Sequence, residues 1–320
     1  MKKMAKEKTF RRVLYEELRL LLKDTPEAIM RLRKICVDKT THYIIINDHI
    51  GDVVISLGYL KAYRDKNNLT DVTLVVNDKF EMMSEQYKDD YEHLILMPAY
   101  SLKRVFLINL TRYGLYVLEK KYPNVTLINP ADAAMLGFDY FRKYPKVNLL
   151  ELIRDGCYSL GNNACFRSMK SKCKETERNV KRIVLLEPCA RTVRNVNKDL
   201  LLKLVPFFKE MKYEVYTNTD LHSDCIEGTK VSFVPLESVG DFVGSGIFIG
   251  TRCGLHDYLM YQECSVIAIY PKKYRYSRLF DLGMLPNTKA RYLEIEESEN
   301  VKDNIEMIVD FLRNNTNEND

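Results

Sequence analysis

Short apolar runs alternate with helical patterns along most of this chain. Between the runs, apolar positions recur at the three- and four-residue spacing of helices, for example in residues 53–64, 80–86, 198–210, 254–262 and 301–313. Fully apolar strands that alternate with helices are typical of a parallel sheet covered on both faces. The runs that predict strands are residues 43–46, 72–76, 93–96, 105–110, 125–127, 182–186, 214–216, 231–234, 246–249 and 265–270.

The alternation is interrupted once, by a polar and basic stretch at residues 161–180 that has almost no apolar periodicity. A chain of 320 residues also suits two domains better than one core. The sequence therefore predicts an α/β protein with two doubly wound halves in tandem. The expected divisions are a helical extension (1–40), an N-terminal domain (41–160), a linker (161–180), a C-terminal domain (181–298), a helix (299–313) and a disordered tail (314–320).

The N-terminal extension is basic and amphipathic. Residues 1–40 hold twelve Lys and Arg against six Asp and Glu, whereas the whole chain has a net charge of only +5. Residues 8–23 show helical spacing, and Thr25 before Pro26 reads as the N-cap of a second helix ending near Cys36. Two interpretations stay open: residues 1–35 lie on an anionic membrane surface, or they pack on their own domain.

Composition excludes several other classes of protein. No apolar run has the roughly 18 residues of a membrane span, and the N-terminus has no signal-peptide pattern, so we expect a cytoplasmic chain, free or at the inner face of the membrane. Tryptophan is absent and no nucleic-acid-binding motif occurs, so no nucleic-acid partner is expected. The eight cysteines form no Cys-x-x-Cys pair, which favours reduced thiols over a metal site.

Polar segments follow three of the predicted strands, where ligands bind in open α/β sheets, and we expect them to face a cleft between the halves. In residues 47–52, Gly51 permits a tight turn and Asp52 stands at a helix start, as a functional carboxylate or as a helix cap. In residues 187–194, Arg191 and Arg194, followed by Lys198, are suited to a diphosphate. In residues 250–257, a glycine turn opens a helix whose free N–H groups suit phosphate.

These three segments, taken in order, resemble the heptosyltransferase-type glycosyltransferases (family 9), which have the GT-B fold. The resemblance covers residues 43–312 and rests on Gly51-Asp52, the loop after residue 187, and the turn at 250–257 followed by 265–271. Two positions depart from the family pattern: Gly58 replaces a proline and Asp257 replaces a histidine. The form Arg252–Asp257 looks more like divergent members that build bacterial surface polysaccharides, such as lipopolysaccharide or capsule.

The resemblance implies an inverting glycosyltransferase with two Rossmann-like domains facing a central cleft. The C-terminal domain would bind a nucleotide-diphosphate sugar, and the N-terminal domain would present a glycan or lipid-linked acceptor. Asp52 would be the general base, with Asp48 or Asp257 as alternatives. No Asp-x-Asp motif occurs, so no metal and no other cofactor are expected. The donor-binding set is Gly51, Arg191, Arg194, Lys198, Thr251, Arg252, Cys253, Gly254, Leu255, His256 and Asp257.

Two other functions remain open at this point. A GT-B sugar-nucleotide epimerase would isomerise the sugar on its nucleotide instead of transferring it. A binding protein that has kept the scaffold and lost catalysis would bind the nucleotide sugar without turnover, as a membrane-docked assembly partner. His256 and Asp257 also have a simpler interpretation as residues that only start a helix.

Overall fold

The computed structural model describes residue 15 and residues 18–130, 147–170, 183–188, 195–219, 224–271 and 280–316. The chain divides by its internal contacts into two compact units, Met1–Arg167 and Ser168–Asp320. Within the described ranges, no helix is both long and apolar enough to cross a bilayer.

The first unit contains a four-stranded parallel sheet in the order β3-β2-β1-β4. Strands β1 and β2 are buried on both faces, as their unbroken apolar sequences predict. The strands are β1 (His42–Ile46), β2 (Val72–Asn77), β3 (His93–Met97) and β4 (Val125–Ile128). The helices are α1 (Thr25–Ile35), α2 (Ile50–Lys66), α3 (Glu81–Ser84), α4 (Ala99–Val105), α5 (Arg112–Lys121) and α6 (Leu149–Glu151).

The second unit contains a six-stranded parallel sheet in the order β10-β9-β8-β5-β6-β7. Its core joins two helices, at residues 198–210 and 301–316, to the sheet. The helix residues in this core include Leu200, Leu204, Phe208, Ile308 and Leu312. The strands are β5 (Ile183–Glu187), β6 (Glu214–Asn218), β7 (Lys230–Ser232), β8 (Ile247–Thr251), β9 (Ser265–Tyr270) and β10 (Arg291–Glu296). The helices are α7 (Lys198–Glu210), α8 (Leu236–Val243), α9 (Gly254–Leu259) and α10 (Val301–Thr316).

The strand predicted at residues 105–110 is wrong. This stretch is the end of α4 followed by a 3-10 turn, Phe106–Leu110. Leu102, Val105 and Phe106 follow one another at helical spacing, and all three are buried in the core beneath α1. A six-residue apolar run fits both a buried strand and a buried helix. Here the helical spacing of the residues before the run decides between the two.

The N-cap predicted at Thr25 is also wrong, because Thr25 already has helical backbone angles and the helical backbone starts before it. A π-helical turn, Leu20–Asp24, runs into α1 without a break, and the Thr25 N–H donates to the Leu20 carbonyl. The Thr25 hydroxyl lies 3.0 Å from that of Thr111, and the Asp24 carboxylate pairs with Arg19 and Arg104. Ala28 and Leu32 are fully buried, so α1 packs on its own unit.

Several elements have other bounds than expected. Sequence patterns missed α4, α5, α6, α8 and the partly exposed strand β10. Helix α10 continues to Thr316, into the expected tail, and residues 317–320 lie outside the described residues. In the predicted linker, residues 164–170 have no regular secondary structure, although the side chain of Met169 is buried. Residues 171–180 of the linker lie outside the described residues.

The end of the first unit docks on α2 at Gly58, one of the two positions that depart from the family pattern. A Cβ on Gly58 would lie 2.3 Å from the ring of Phe166. The Arg167 N–H donates to the Gly58 carbonyl at 2.8 Å, and the Tyr158 hydroxyl donates to the Ser56 carbonyl at 3.1 Å. A glycine at position 58 therefore admits the Phe166 ring to the surface of α2.

Gly58→Ala is expected to destabilise the first unit, although alanine is the better helix former. The added methyl group displaces Phe166, and overpacking of this kind costs about 1–3 kcal/mol. A double-mutant cycle with Phe166→Ala in urea unfolding measures the effect, because removing the ring should abolish most of the cost. Equal costs of Gly58→Ala with and without the ring would contradict this packing.

Candidate functional site

Each sheet has one place where the strand order reverses. In the first unit, β2 and β3 lie on one side of β1 and β4 lies on the other; in the second, β6 and β7 lie on one side of β5 and β8 lies on the other. At such a switch point the connections leave in opposite directions and open a crevice beyond the carboxyl ends of the strands. The predicted segments at residues 47–52, 187–194 and 250–257 all start at these strand ends.

In the first unit, an asparagine amide holds the Asp52 carboxylate at the switch point. Asn47 follows β1 and Asn129 follows β4. The Asn47 Nδ2 donates to Asp52 Oδ2 at 2.5 Å and to Asn129 Oδ1 at 3.2 Å. Asp52 is 7% exposed and stands in the first turn of α2. The carboxylate is thus fixed between the two strands that form the crevice.

Asp52 is not the N-cap of α2. The N-cap position is His49, whose backbone is extended, and Asp52 is the third helical residue. Gly51 precedes it within the same helical turn and is buried, so the tight turn expected at Gly51 lies earlier in the chain. A carboxylate in the first turn still gains from the positive end of the helix dipole.

Asp48, the alternative base, has a different environment. Its carboxylate pairs with Lys79 Nζ at 2.6 Å and with Lys103 Nζ at 3.3 Å. Lys79 follows β2, and Lys103 lies on α4. Asp48 therefore links these two elements to the end of β1. Asp48 is therefore held by ion pairs, whereas Asp52 is held by the amide of Asn47.

In the second unit, Thr251 ties the loop after β5 to the end of β8. Its buried hydroxyl accepts from the Val196 N–H at 3.1 Å and donates to the Pro188 carbonyl at 3.4 Å. Both ends of the loop are therefore fixed, while Arg191 and Arg194 lie outside the described residues. Lys198 opens α7 and its Nζ lies 3.3 Å from Asp224 Oδ1.

Arg252 and Asp257 bind each other inside the second unit. The Arg252 Nη1 and Nη2 donate to the two Asp257 oxygens at 3.1 and 2.5 Å, and Nε donates to the Phe280 carbonyl at 2.9 Å. Their side chains are 4% and 2% exposed. Burial raises the pKa of Asp257, and the charge of Arg252 opposes that rise. The pair therefore holds the turn between β8 and α9 from within.

His256 is a neutral residue of the helix start. Its Nδ1 accepts from the Cys253 N–H at 3.2 Å, and its Nε2 lies 3.3 Å from the Ile267 carbonyl, so Nε2 carries the proton. Burial lowers the pKa of His256 to about 3. Cys253 is the N-cap, and burial raises the pKa of its thiol to about 12. Neither side chain offers a charge to a ligand at neutral pH.

The residues of this turn differ in how far they are exposed. Thr251, Arg252, His256 and Asp257 are buried, whereas Cys253 and Gly254 are partly exposed and Leu255 is 8% exposed. A ligand at this turn would therefore meet Cys253 and Gly254, and the Cys253 N–H already donates to His256 Nδ1.

The predicted catalytic and donor-binding set leaves out four polar residues at strand ends: Asn47, Asn129, Glu187 and Asn218. Asn47 and Asn129 fix Asp52, as described above. In the second unit, Asn218 at the end of β6 donates to Glu187 Oε2 at 2.7 Å and accepts from the Val234 N–H at 3.1 Å. The available signal was a polar side chain at or directly after the end of an apolar strand, which all four share.

Asp257→Asn is expected to destabilise the second unit by about 3–5 kcal/mol, because it leaves the buried Arg252 charge without its counter-ion. Glu214→Gln is the matched control: its pair with Lys230, 2.7 Å apart, is exposed, so the free energy of unfolding should stay close to that of wild type. Urea unfolding of both variants gives the comparison. If Asp257→Asn altered nucleotide affinity and left stability unchanged, Asp257 would be a ligand-binding residue instead.

Comparison with known proteins gives similarity of structure without similarity of sequence. No protein-family model matches the chain, and the comparison with curated proteins gives no significant match. Among solved structures, a family 9 glycosyltransferase from Veillonella parvula aligns with a TM-score of 0.50 at 14% identity, over 79% of this chain and 86% of that one.

Two E. coli structures align similarly. The ADP-heptose LPS heptosyltransferase II gives a TM-score of 0.51 at 11% identity, over 86% of this chain and 99% of that one. The heptosyltransferase WaaC with ADP gives 0.51 at 10% identity, over 84% and 99%. These likenesses confirm the expected fold class: the chain has two parallel α/β sheets with flanking helices and the fold of the GT-B heptosyltransferases.

Proposed function

We propose that this protein is an inverting glycosyltransferase that moves a sugar from a nucleotide-diphosphate donor to an acceptor hydroxyl. The observation that carries the proposal is the buried Asp52 carboxylate, held by Asn47 at the switch point of the first sheet. The fold shared with heptosyltransferases supports it. The proposed acceptor is a glycan or a lipid-linked acceptor of bacterial surface polysaccharide synthesis.

In the proposed reaction, Asp52 accepts the proton of the acceptor hydroxyl while the oxygen attacks the anomeric carbon. The bond from that carbon to the diphosphate oxygen breaks, and the nucleoside diphosphate leaves with the bonding electrons. One displacement inverts the anomeric configuration. The Asn47 amide donates to one carboxylate oxygen, which sets the direction of the other.

The second unit is proposed to bind the donor. The partly exposed turn at Gly254 faces the diphosphate, with Arg191, Arg194 and Lys198 as cations. Arg252 acts indirectly in this proposal, because its guanidinium is occupied by Asp257 and the Phe280 carbonyl. Glu187 suits sugar hydroxyls of the donor, since a carboxylate accepts from O–H groups and repels phosphate.

The alternatives make different demands on the same sites. An epimerase would isomerise the sugar on its nucleotide in the absence of any acceptor, and a non-catalytic binding protein would bind the donor without turnover. Metal independence and the contact of residues 1–35 with an anionic membrane surface also stand as proposals.

Asp52→Asn is expected to lower sugar transfer by about 10²–10⁴-fold, the range for loss of a general base, with donor affinity nearly unchanged. Transfer assays and calorimetry of the same preparation separate the two effects. Asp48→Asn is the matched control, because it removes a neighbouring carboxylate whose partners are Lys79 and Lys103. Turnover equal to wild type in Asp52→Asn would remove this residue from the mechanism.

A thermal-shift screen with UDP, GDP, CDP, ADP and dTDP, each with and without EDTA, is expected to show stabilisation by one nucleotide class. Ligand at one hundred times its Kd adds about 2.7 kcal/mol to the folded state. Arg191→Ala with Arg194→Ala should remove most of this shift, whereas Lys203→Ala, an exposed cation of α7, should keep it. A shift abolished by EDTA would contradict metal independence, and no shift at all would contradict a preformed donor site.

A further inference from the structure

Exposed apolar side chains are concentrated on one group of helices in the first unit. Seventeen large apolar residues are exposed among the described residues, and ten of them belong to the N-terminal helical segment or to residues 99–121. The ten are Tyr15, Leu18, Leu21, Leu22, Met30, Tyr100, Leu110, Tyr113, Leu115 and Tyr116. Such a concentration marks an interaction surface more often than scattered single residues do.

The elements that carry these residues are in contact with one another. Helix α1 packs against α4, α5 and the 3-10 turn between them, and the π-helical turn at Leu20–Asp24 packs against the same 3-10 turn. The Thr25–Thr111 contact of 3.0 Å joins the two stretches directly. Residues 18–35 and 99–121 therefore form one surface, which we call the basic aromatic face.

On α5 the exposed residues lie on one side of the helix. Tyr113 and Tyr116 are 53% and 58% exposed, and Lys120 continues the same side one turn later. Gly114 and Val117 are buried in a strip beside this side of the helix. The helix is thus anchored by this strip and presents tyrosines and a lysine beside it.

The charge of this face identifies the chemistry of its partner. Residues 18–35 and 99–121 hold ten Lys and Arg against three Asp and Glu, a net charge of +7, in a chain whose total is +5. All three carboxylates are engaged in ion pairs: Asp24 with Arg19 and Arg104, Glu27 with Arg31, and Glu119 with Lys120. Lys103 also pairs with Asp48, outside this face, so the remaining surplus is +6; the Arg31 and Arg104 guanidinium groups lie over the exposed Tyr100 ring.

We propose that the basic aromatic face docks this protein on an anionic lipid bilayer. Lysine and arginine attract the acidic headgroups, tyrosine suits the headgroup region, and leucine enters the upper acyl region. This extends the membrane contact proposed for residues 1–35 to residues 99–121, and it requires no nucleotide. A docking surface of this kind would hold the protein beside lipid-linked acceptors of the proposed transfer reaction.

The test is flotation of the full chain with vesicles of mixed phosphatidylcholine and phosphatidylglycerol, compared with phosphatidylcholine alone. We expect binding to the anionic vesicles and little binding to the neutral ones. Arg112→Gln with Lys121→Gln should weaken the partition about fivefold for each cation removed. Lys203→Gln with Lys302→Gln, exposed cations of the second unit, should bind as wild type does.

Tyr113→Ser with Tyr116→Ser tests the aromatic contribution. This variant should lose most vesicle binding and keep the thermal stability and nucleotide response of wild type. Phe233→Ser with Tyr292→Ser is the matched control, since both residues are exposed in the second unit. The retained nucleotide response separates this proposal from the proposed function, because either can fail alone.

Three outcomes would overturn the proposal. The first is equal binding of wild type and the tyrosine variant, which would place the membrane contact in other residues. The second is absence of binding by wild type, with a dimer that the tyrosine variant dissociates, which would make the face a protein interface. The third is absence of binding with a loss of thermal stability in the tyrosine variant, which would mean that the face packs on its own chain.

Discussion

Burial of parallel strands on both faces is the constraint on which the rest of this structure depends. Along β1, β2, β8 and β9 the interior admits almost no polar side chain without a partner, so polar groups collect at the strand ends. Several of those that are buried there bind one another. The Asn47 amide bridges Asp52 and Asn129, and the Thr251 hydroxyl bridges Pro188 and Val196. Both sites are consequently fixed by the same bonds that satisfy the core.

The sequence sufficed for the parts of the fold that depend on local patterns. Apolar runs between helices predicted two parallel sheets, and the comparison with solved structures confirms them. The run at 105–110 was read as a strand because its own six residues are ambiguous; the burial of Leu102 one turn earlier makes it helical. The edge strand β10 was missed because its alternating, partly exposed side chains differ from the buried strands.

In the candidate sites, too, local sequence patterns predicted the position of each segment but not the contacts of its side chains. Polar residues after apolar strands pointed to residues 47–52 and 250–257, but the partners of each side chain depend on contacts distant in sequence. Arg252 was expected to meet a diphosphate, yet it is enclosed by Asp257 and by a carbonyl 28 residues away. Asp52 was a possible helix cap until the extended backbone of His49 placed the N-cap three residues earlier, while its role as a base stays a proposal. Such distinctions require the tertiary structure.

The docking of residues 158–167 on α2 has a consequence for how this protein is made. Arg167 is the last residue of the first unit; its guanidinium pairs with Asp90 at 2.6 Å, and its carbonyl accepts from the Tyr87 hydroxyl at 3.1 Å. Until these residues leave the ribosome, the surface of α2 beside Gly58 stays uncovered, although every strand of the first sheet has already been synthesised. Domains generally fold as units in the order of synthesis. The first unit therefore reaches its complete packing only after synthesis of the second has begun, and a nascent chain halted earlier leaves the Gly58 surface of α2 open to chaperones.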